Sequence, residues 1–315
     1  MKRWMIWLAV CLTALLAGCS ASGAETVLAE DPVMEPRARA EEPLAGEPAE
    51  GEAIRYMVDI VNWSKNTLSE EGVLLVSSNL QIPELTAWRE DGTAVLEPAT
   101  PQEERAAAVV ETNNQRRERW AVAVELQNIT AAAEARWRAQ QESENKGIWI
   151  LEYSLDLDSS VYQTDRMVSV AGTYRSFTGG AHEGTMLLSW NYDLTTGTFF
   201  DASMLAEDGP AFLADVKDEL YRQANAPHDT WSLLGGNLNG YIPAMDYWTG
   251  YENTLANWSS YAVSFNEEGM TVGFSPYELS TYAAGPQIFE ISYDWLRPRL
   301  SQQGLITLGL AEPEQ

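Results

Sequence analysis

The feature that most restricts what this chain can fold into is one junction, Leu16-Ala17-Gly18-Cys19. Ahead of it stand Lys2, Arg3 and an apolar run from Trp4 to Leu16. A charged start, an apolar stretch and a small-residue end are the layout of an export signal. The run is short for a bilayer span, which takes about 20 residues, so a permanent anchor helix is not expected. The sequence has 2 cysteines, Cys11 within the signal and Cys19 at the junction. The part that folds therefore has no thiol for a disulfide, a thiolate catalyst or a cysteine metal site. Apolar burial must hold it, and about 250 residues beyond the first fifty are enough for one or two cores.

The junction resembles the lipobox, at which lipoprotein signal peptidase cuts before a cysteine carrying diacylglycerol. The resemblance implies a signal peptide over 1–18, lipidation of Cys19, and attachment to the cell membrane through that N-terminal lipid, on the extracytoplasmic face. From 19–53 the composition shifts to Ala, Glu, Pro and Gly, as in Glu35-Pro36-Arg37-Ala38-Arg39-Ala40-Glu41-Glu42-Pro43. Such a stretch has too little hydrophobicity to offset its ordering entropy, and its like charges extend it. It reads as an acidic flexible tether.

Past the tether, alternation at Ile54, Tyr56, Val58 and Ile60 and the run Val73 to Val76 predict early strands, with Pro83 and Asp91-Gly92 closing the section. From Gln102 to Gln141 the spacing of Val109, Trp120, Val124 and Trp137 predicts one long helix or two in sequence. Strands are expected again over Ile148–Leu155, Met167–Tyr174 and Thr185–Tyr192, with turns at Gly179-Gly180 and Thr196-Gly197. Phe212, Leu213, Val216 and Leu220 form a helical stripe after Pro210. A Gly-, Asn- and aromatic-rich stretch from Ala226 to Asn257 reads as loop. Strands near Tyr261–Phe265, Met270–Phe274 and Ile288–Tyr293 and a short helix close the chain. Segregated strands and helices predict an α+β fold with antiparallel sheets, a long helix in the N-terminal half and a shorter second helix.

Three segments in order carry a family resemblance: Tyr174-Arg175-Ser176-Phe177-Thr178-Gly179-Gly180-Ala181-His182-Glu183-Gly184, Asn191-Tyr192-Asp193-Leu194-Thr195-Thr196-Gly197, and Phe274-Ser275-Pro276-Tyr277-Glu278-Leu279-Ser280-Thr281-Tyr282-Ala283-Ala284-Gly285-Pro286. The stretch from Ile54 to Leu300 resembles the extracytoplasmic domain of the RsiV-like anti-sigma factors, which also precedes the catalytic domain of the peptidoglycan deacetylase PdaC. The resemblance implies an α+β fold in two closely associated subdomains, 54–185 and 186–300, with a tail over 301–315. It also implies lysozyme as a ligand, since RsiV binds it to sense attack on the wall. RsiV-like sensors carry a cytoplasmic segment and a transmembrane helix. Here almost nothing precedes the signal, and no deacetylase motif follows, so the expectation is the binding domain alone.

The chemistry of the remaining residues points the same way. Gly-x-Ser-x-Gly, phosphate-loop, His-Glu-x-x-His and dinucleotide motifs do not occur, so neither an enzyme nor a cofactor is expected. Two histidines, His182 and His228, are few for a hydrolytic metal centre. His182 beside Gly179 and Gly180 reads as part of a structural turn, not as a metal ligand. In the loop-like stretch, Asp246, Tyr247, Trp248, Tyr251 and Glu252 mix aromatics with carboxylates, a combination suited to a protein or a sugar. The net charge of -26 repels nucleic acid and would steer a basic protein inward. The expectation is a non-catalytic, surface-anchored lipoprotein that binds a basic wall-active protein such as lysozyme. A glycan-binding module for peptidoglycan is the alternative, and an uncharacterised envelope enzyme the second.

Overall fold

The computed structural model describes residues 54–121, 125–143, 152–226 and 247–312. The signal, Cys19, the tether and the stretch 227–246 lie outside them. The described chain runs β1 (Arg55–Leu68), β2 (Leu74–Trp88), α1 (Pro101–Ala121), α2 (Glu125–Glu142), β3 (Tyr153–Gln163), β4 (Met167–Phe177), β5 (Gly184–Asp193) and β6 (Thr198–Phe199). It continues through α3 (Gly209–Ala224), α4 (Tyr251–Ala256), β7 (Ala262–Phe265), β8 (Gly269–Phe274), β9 (Gln287–Ser292), α5 (Tyr293–Leu296) and α6 (Gln302–Thr307). The fold is α+β, as the segregated pattern predicts. Among the described residues no helix is long and apolar enough to cross a membrane.

Strands β1 to β6 form a 6-stranded sheet in chain order, and β7 to β9 a 3-stranded one. The first sheet thus runs past residue 185, since β5 pairs with β4 and β6 with β5. Every ladder is antiparallel except β2 on β3, where Val76 to Leu80 face Tyr153 to Leu157 in parallel. A parallel pair needs a long crossover, and α1 and α2 supply it. Leu126, Ile129 and Ala133 of α2 bury against Leu80, Ile82 and Leu155.

Pro83, expected to end a strand, instead lies inside β2 opposite Ile60. The reason is the side to which its backbone points. Leu85 gives its N–H to Asn114 Oδ1 at 3.0 Å and accepts from Asn114 Nδ2 at 2.9 Å, so its polar groups face away from β1. Pro83, two residues earlier, faces the same way, and β3 has left β2 after Leu80. The missing N–H therefore costs no ladder bond. Gln163 does for β1 what Asn114 does for β2: it accepts from Val58 N and donates to Tyr56 O, at 3.1 and 2.6 Å. Two side-chain amides thus stand in for peptide groups where the hairpin leaves the sheet.

The second core gathers around α3. Phe212, Val216, Leu220 and Ala224 recur every four residues and are all buried. Asp208 caps this helix by accepting from Ala211 N, and Pro210 sits in its first turn. Part of the expected loop is also helical: α4 folds there, and a 3-10 turn at Trp258–Ser260 follows it. Trp258 is fully buried, its indole N–H donating to Leu213 O at 3.1 Å. Six residues are too few for a helical period to show in sequence. The two sheets are joined by a satisfied polar pair. Ser169 Oγ donates to Asn191 Oδ1 and accepts from Phe265 N, while Asn191 Nδ2 donates to Val263 O.

Candidate functional site

The segment between β8 and β9 opens with a turn whose backbone is unusual. Glu278 N donates to Ser275 O at 3.1 Å, and Pro276 takes the second position. The third is Tyr277 with φ of 72°, the lone non-glycine residue of positive φ among the described residues. Pro followed by a left-handed residue is the pattern of a type II turn, which asks for Gly or Asn there. A side chain in that conformation costs about 1–2 kcal/mol. Neighbours hold it in place: Ser275 N donates to the Glu278 carboxylate, and Leu187 N of β5 donates to Ser275 Oγ at 3.0 Å. Burial pushes the Glu278 carboxyl up to about 7, against the lowering effect of the Ser275 hydrogen bonds.

The constrained backbone presents Tyr277, 55% exposed, to a second turn. His182 stacks on Tyr282 at 3.8 Å and 16°, and its Nε2 lies 3.1 Å from Tyr277 Oη. His182 Nδ1 lies 2.9 Å from Glu183 O, and a carbonyl can only accept. In the neutral ring Nδ1 therefore carries the proton, and Nε2 accepts from the Tyr277 hydroxyl. Gly179 has φ of 85°, and a Cβ there would lie 2.3 Å from an Arg136 guanidinium nitrogen. Gly180 leaves room, with nothing closer than 3.6 Å. Arg175 pairs with Asp158 and reaches Glu183 at 4.0 Å, securing the base of the same turn. The sequence-predicted trio Gly179, Gly180 and His182 is thus gathered with Tyr277 and Tyr282.

A further aromatic group is tied to the same segment by a backbone hydrogen bond. Trp248 is 50% exposed, and its backbone N–H donates to Leu279 O at 2.9 Å. Tyr247 stacks on Tyr251 at 5.0 Å, and Tyr251 lies parallel to Tyr221 at 6.3 Å. The Tyr251 hydroxyl donates to Asn225 Oδ1 at 3.0 Å. Burial raises the phenol pKa of Tyr247 and of Tyr251. Both rings pack against the second core, so of the predicted aromatics Trp248 alone stands well into solvent. Glu252 is exposed in the first turn of α4. Asp246 lies outside the described residues.

Sequence reasoning missed Tyr277, Tyr282 and Glu278 as site residues. The signal open to it was Pro276 flanked by Ser275 and Glu278 at turn spacing; nothing marks a tyrosine for positive φ. Chemically the cluster offers ring faces, one imidazole and carboxylates. Among the described residues no group of three or more His, Cys, Asp and Glu converges as metal ligands do.

No protein-family model matches the chain, and no curated protein matches it. Among solved structures the chain is similar to a DUF3298 family member from Bacteroides fragilis, at 15% identity and a TM-score of 0.46, covering 83% of this chain and 99% of that one. It is also similar to a DUF3298 family protein from Pseudomonas aeruginosa, at 15% identity and a TM-score of 0.38, covering 81% of this chain and 97% of that one.

Proposed function

We propose that this chain is a non-catalytic binding lipoprotein, held by a lipid on Cys19 at the extracytoplasmic face of the cell membrane, that recognises a basic wall-active protein such as lysozyme. The observation that carries the reading is the pair Trp248 and Tyr277: two large rings, both half exposed, one in the segment between β8 and β9 and the other hydrogen-bonded to it through its backbone, in a chain with net charge -26. Rigid aromatics are the side chains that anchor protein partners, and opposite charge speeds the encounter. Tyr277 adds weight because its backbone cost is borne for a ring that stays outside the core. Tyr251, a contact residue on sequence grounds, fits a supporting part better, since its ring and hydroxyl are already engaged.

Calorimetric titration of the full chain with lysozyme, at low and high salt, tests the reading. Binding is expected at micromolar concentrations and should weaken as salt shortens the Debye length. Replacing Trp248 and Tyr277 together by Ala should weaken it by more than about 1 kcal/mol with the fold retained. No heat in low salt would remove the proposal, and binding of purified peptidoglycan instead would favour the glycan-binding alternative.

A further inference from the structure

β1 ends the 6-stranded sheet, and among the described residues no strand pairs with its outer edge. Which backbone groups point outward is fixed by hydrogen bonds already described. Val58 and Leu85 face each other in the register, and both send their polar groups away from the ladder, to Gln163 and Asn114. The even-numbered residues of β1 therefore point outward, and beyond Val58 these are Ile60, Asn62, Ser64 and Asn66. Two further facts set this edge apart. Met57, Ile60 and Val61 are all exposed. The two strands of the hairpin carry Arg55, Lys65, Asp59 and Glu84, a formal charge of zero in a chain of -26.

We propose that two copies of this chain associate edge to edge through β1, antiparallel, about a twofold axis at Asn62. Outward-facing residues meet one another when the axis passes through a residue position, and Asn62 is the position that sets the opposite charges of β1, Asp59 and Lys65, against each other. An axis at Ile60 sets Lys65 against Arg55, and one at Ser64 sets Lys65 against Trp63. With the axis at Asn62, Asp59 of each copy faces Lys65 of the other, twice over. The same register places Val61 opposite Trp63 of the second copy, a β-branched residue against an aromatic. Ile60 then exchanges backbone hydrogen bonds with Ser64, and Asn62 with its own counterpart. A chain of net charge -26 repels a second copy, and the electrically neutral strand pair β1–β2 is where that repulsion is least. The sheet would run unbroken through both copies, closing an edge that natural proteins otherwise guard. The association is independent of the aromatic site.

The test uses the full chain carrying Cys11→Ser and Cys19→Ser, so that one introduced thiol is the lone one, with a short bis-maleimide as cross-linker. Asn62→Cys should cross-link to a dimer. Ile60→Cys and Ser64→Cys should not, because four residues of offset put each about 14 Å along the strand from its counterpart. In sedimentation, Asp59→Lys should weaken self-association by roughly tenfold or more by setting Lys against Lys65, and Asp59→Lys with Lys65→Asp should restore it. A parent chain that stays monomeric at high micromolar concentration would overturn the proposal. So would equal cross-linking at all three positions, or a charge swap that fails to rescue.

Discussion

Two turns meet at His182, and they solve the same backbone problem in opposite ways. The β4–β5 turn reaches positive φ at Gly179, where no side chain exists to object. The β8–β9 turn reaches it at Tyr277 and bears the cost. Backbone conformation explains the first choice, because φ of 85° strains any side chain, while the nearest group, the Arg136 guanidinium, is the movable end of an exposed side chain. Tyr277 is instead surrounded by solvent, His182 and Tyr282. Where the side chain does nothing the chain uses glycine, and where the ring must be held out it keeps the ring and supports the backbone from beneath.

The largest expected effect breaks the first half of this contrast. Gly179→Val should lower stability by about 3 kcal/mol, because a β-branched side chain is strained in the left-handed backbone, and depress Tm by roughly 6–12 °C. Thermal unfolding followed by circular dichroism measures it, and a change within about 1 °C would show that the turn relaxes freely.

A smaller effect concerns what supports Tyr277. Glu278 holds its proton more tightly in the folded chain than in the unfolded one, because burial lifts its carboxyl from 4.5 to about 7. Stability from this group is therefore full below about pH 4.5 and is lost as pH rises through about 7. Glu278→Gln keeps an acceptor for Ser275 N and removes the titration. It should match the parent near pH 4.5 and exceed it near pH 8 by about 2 kcal/mol. Parallel pH profiles of the two proteins would contradict the assignment.

The smallest effect isolates the strain itself. Tyr277→Gly and Tyr277→Ala both remove the ring, but only Ala keeps a Cβ in the left-handed region. The glycine variant should be more stable than the alanine variant by about 1 kcal/mol, read from urea midpoints at a common slope. Equal midpoints would mean that the turn changes shape once the ring is gone.

Much of the scaffold was legible because each element answered to a local rule. Phe212, Val216 and Leu220 mark α3 by their period, and Gly179 and Gly197 mark turns by positive φ. Pro83 misled because a proline's cost depends on which neighbour its nitrogen faces, and that depends on where β3 diverges. Tyr247 and Tyr251 read as contact residues because composition reports ring content, not which rings pack onto a core. For the site, His182 was legible as a loop residue, but its partners Tyr277 and Tyr282 are about a hundred residues away, and no local pattern announces them.

The parallel seam between β2 and β3 has a consequence for how the chain reaches this state. The β1–β2 hairpin and the β3–β4–β5 meander each close over a few residues, so they can form early and alone. Joining them means pairing residues 77 positions apart, as in Asn79 with Asp156, after α1 and α2 have laid the chain across. Loop closure of that length is paid before any seam contact rewards it. The seam is the late event, and substitutions at Leu80 or Leu157 should quicken unfolding far more than they slow folding.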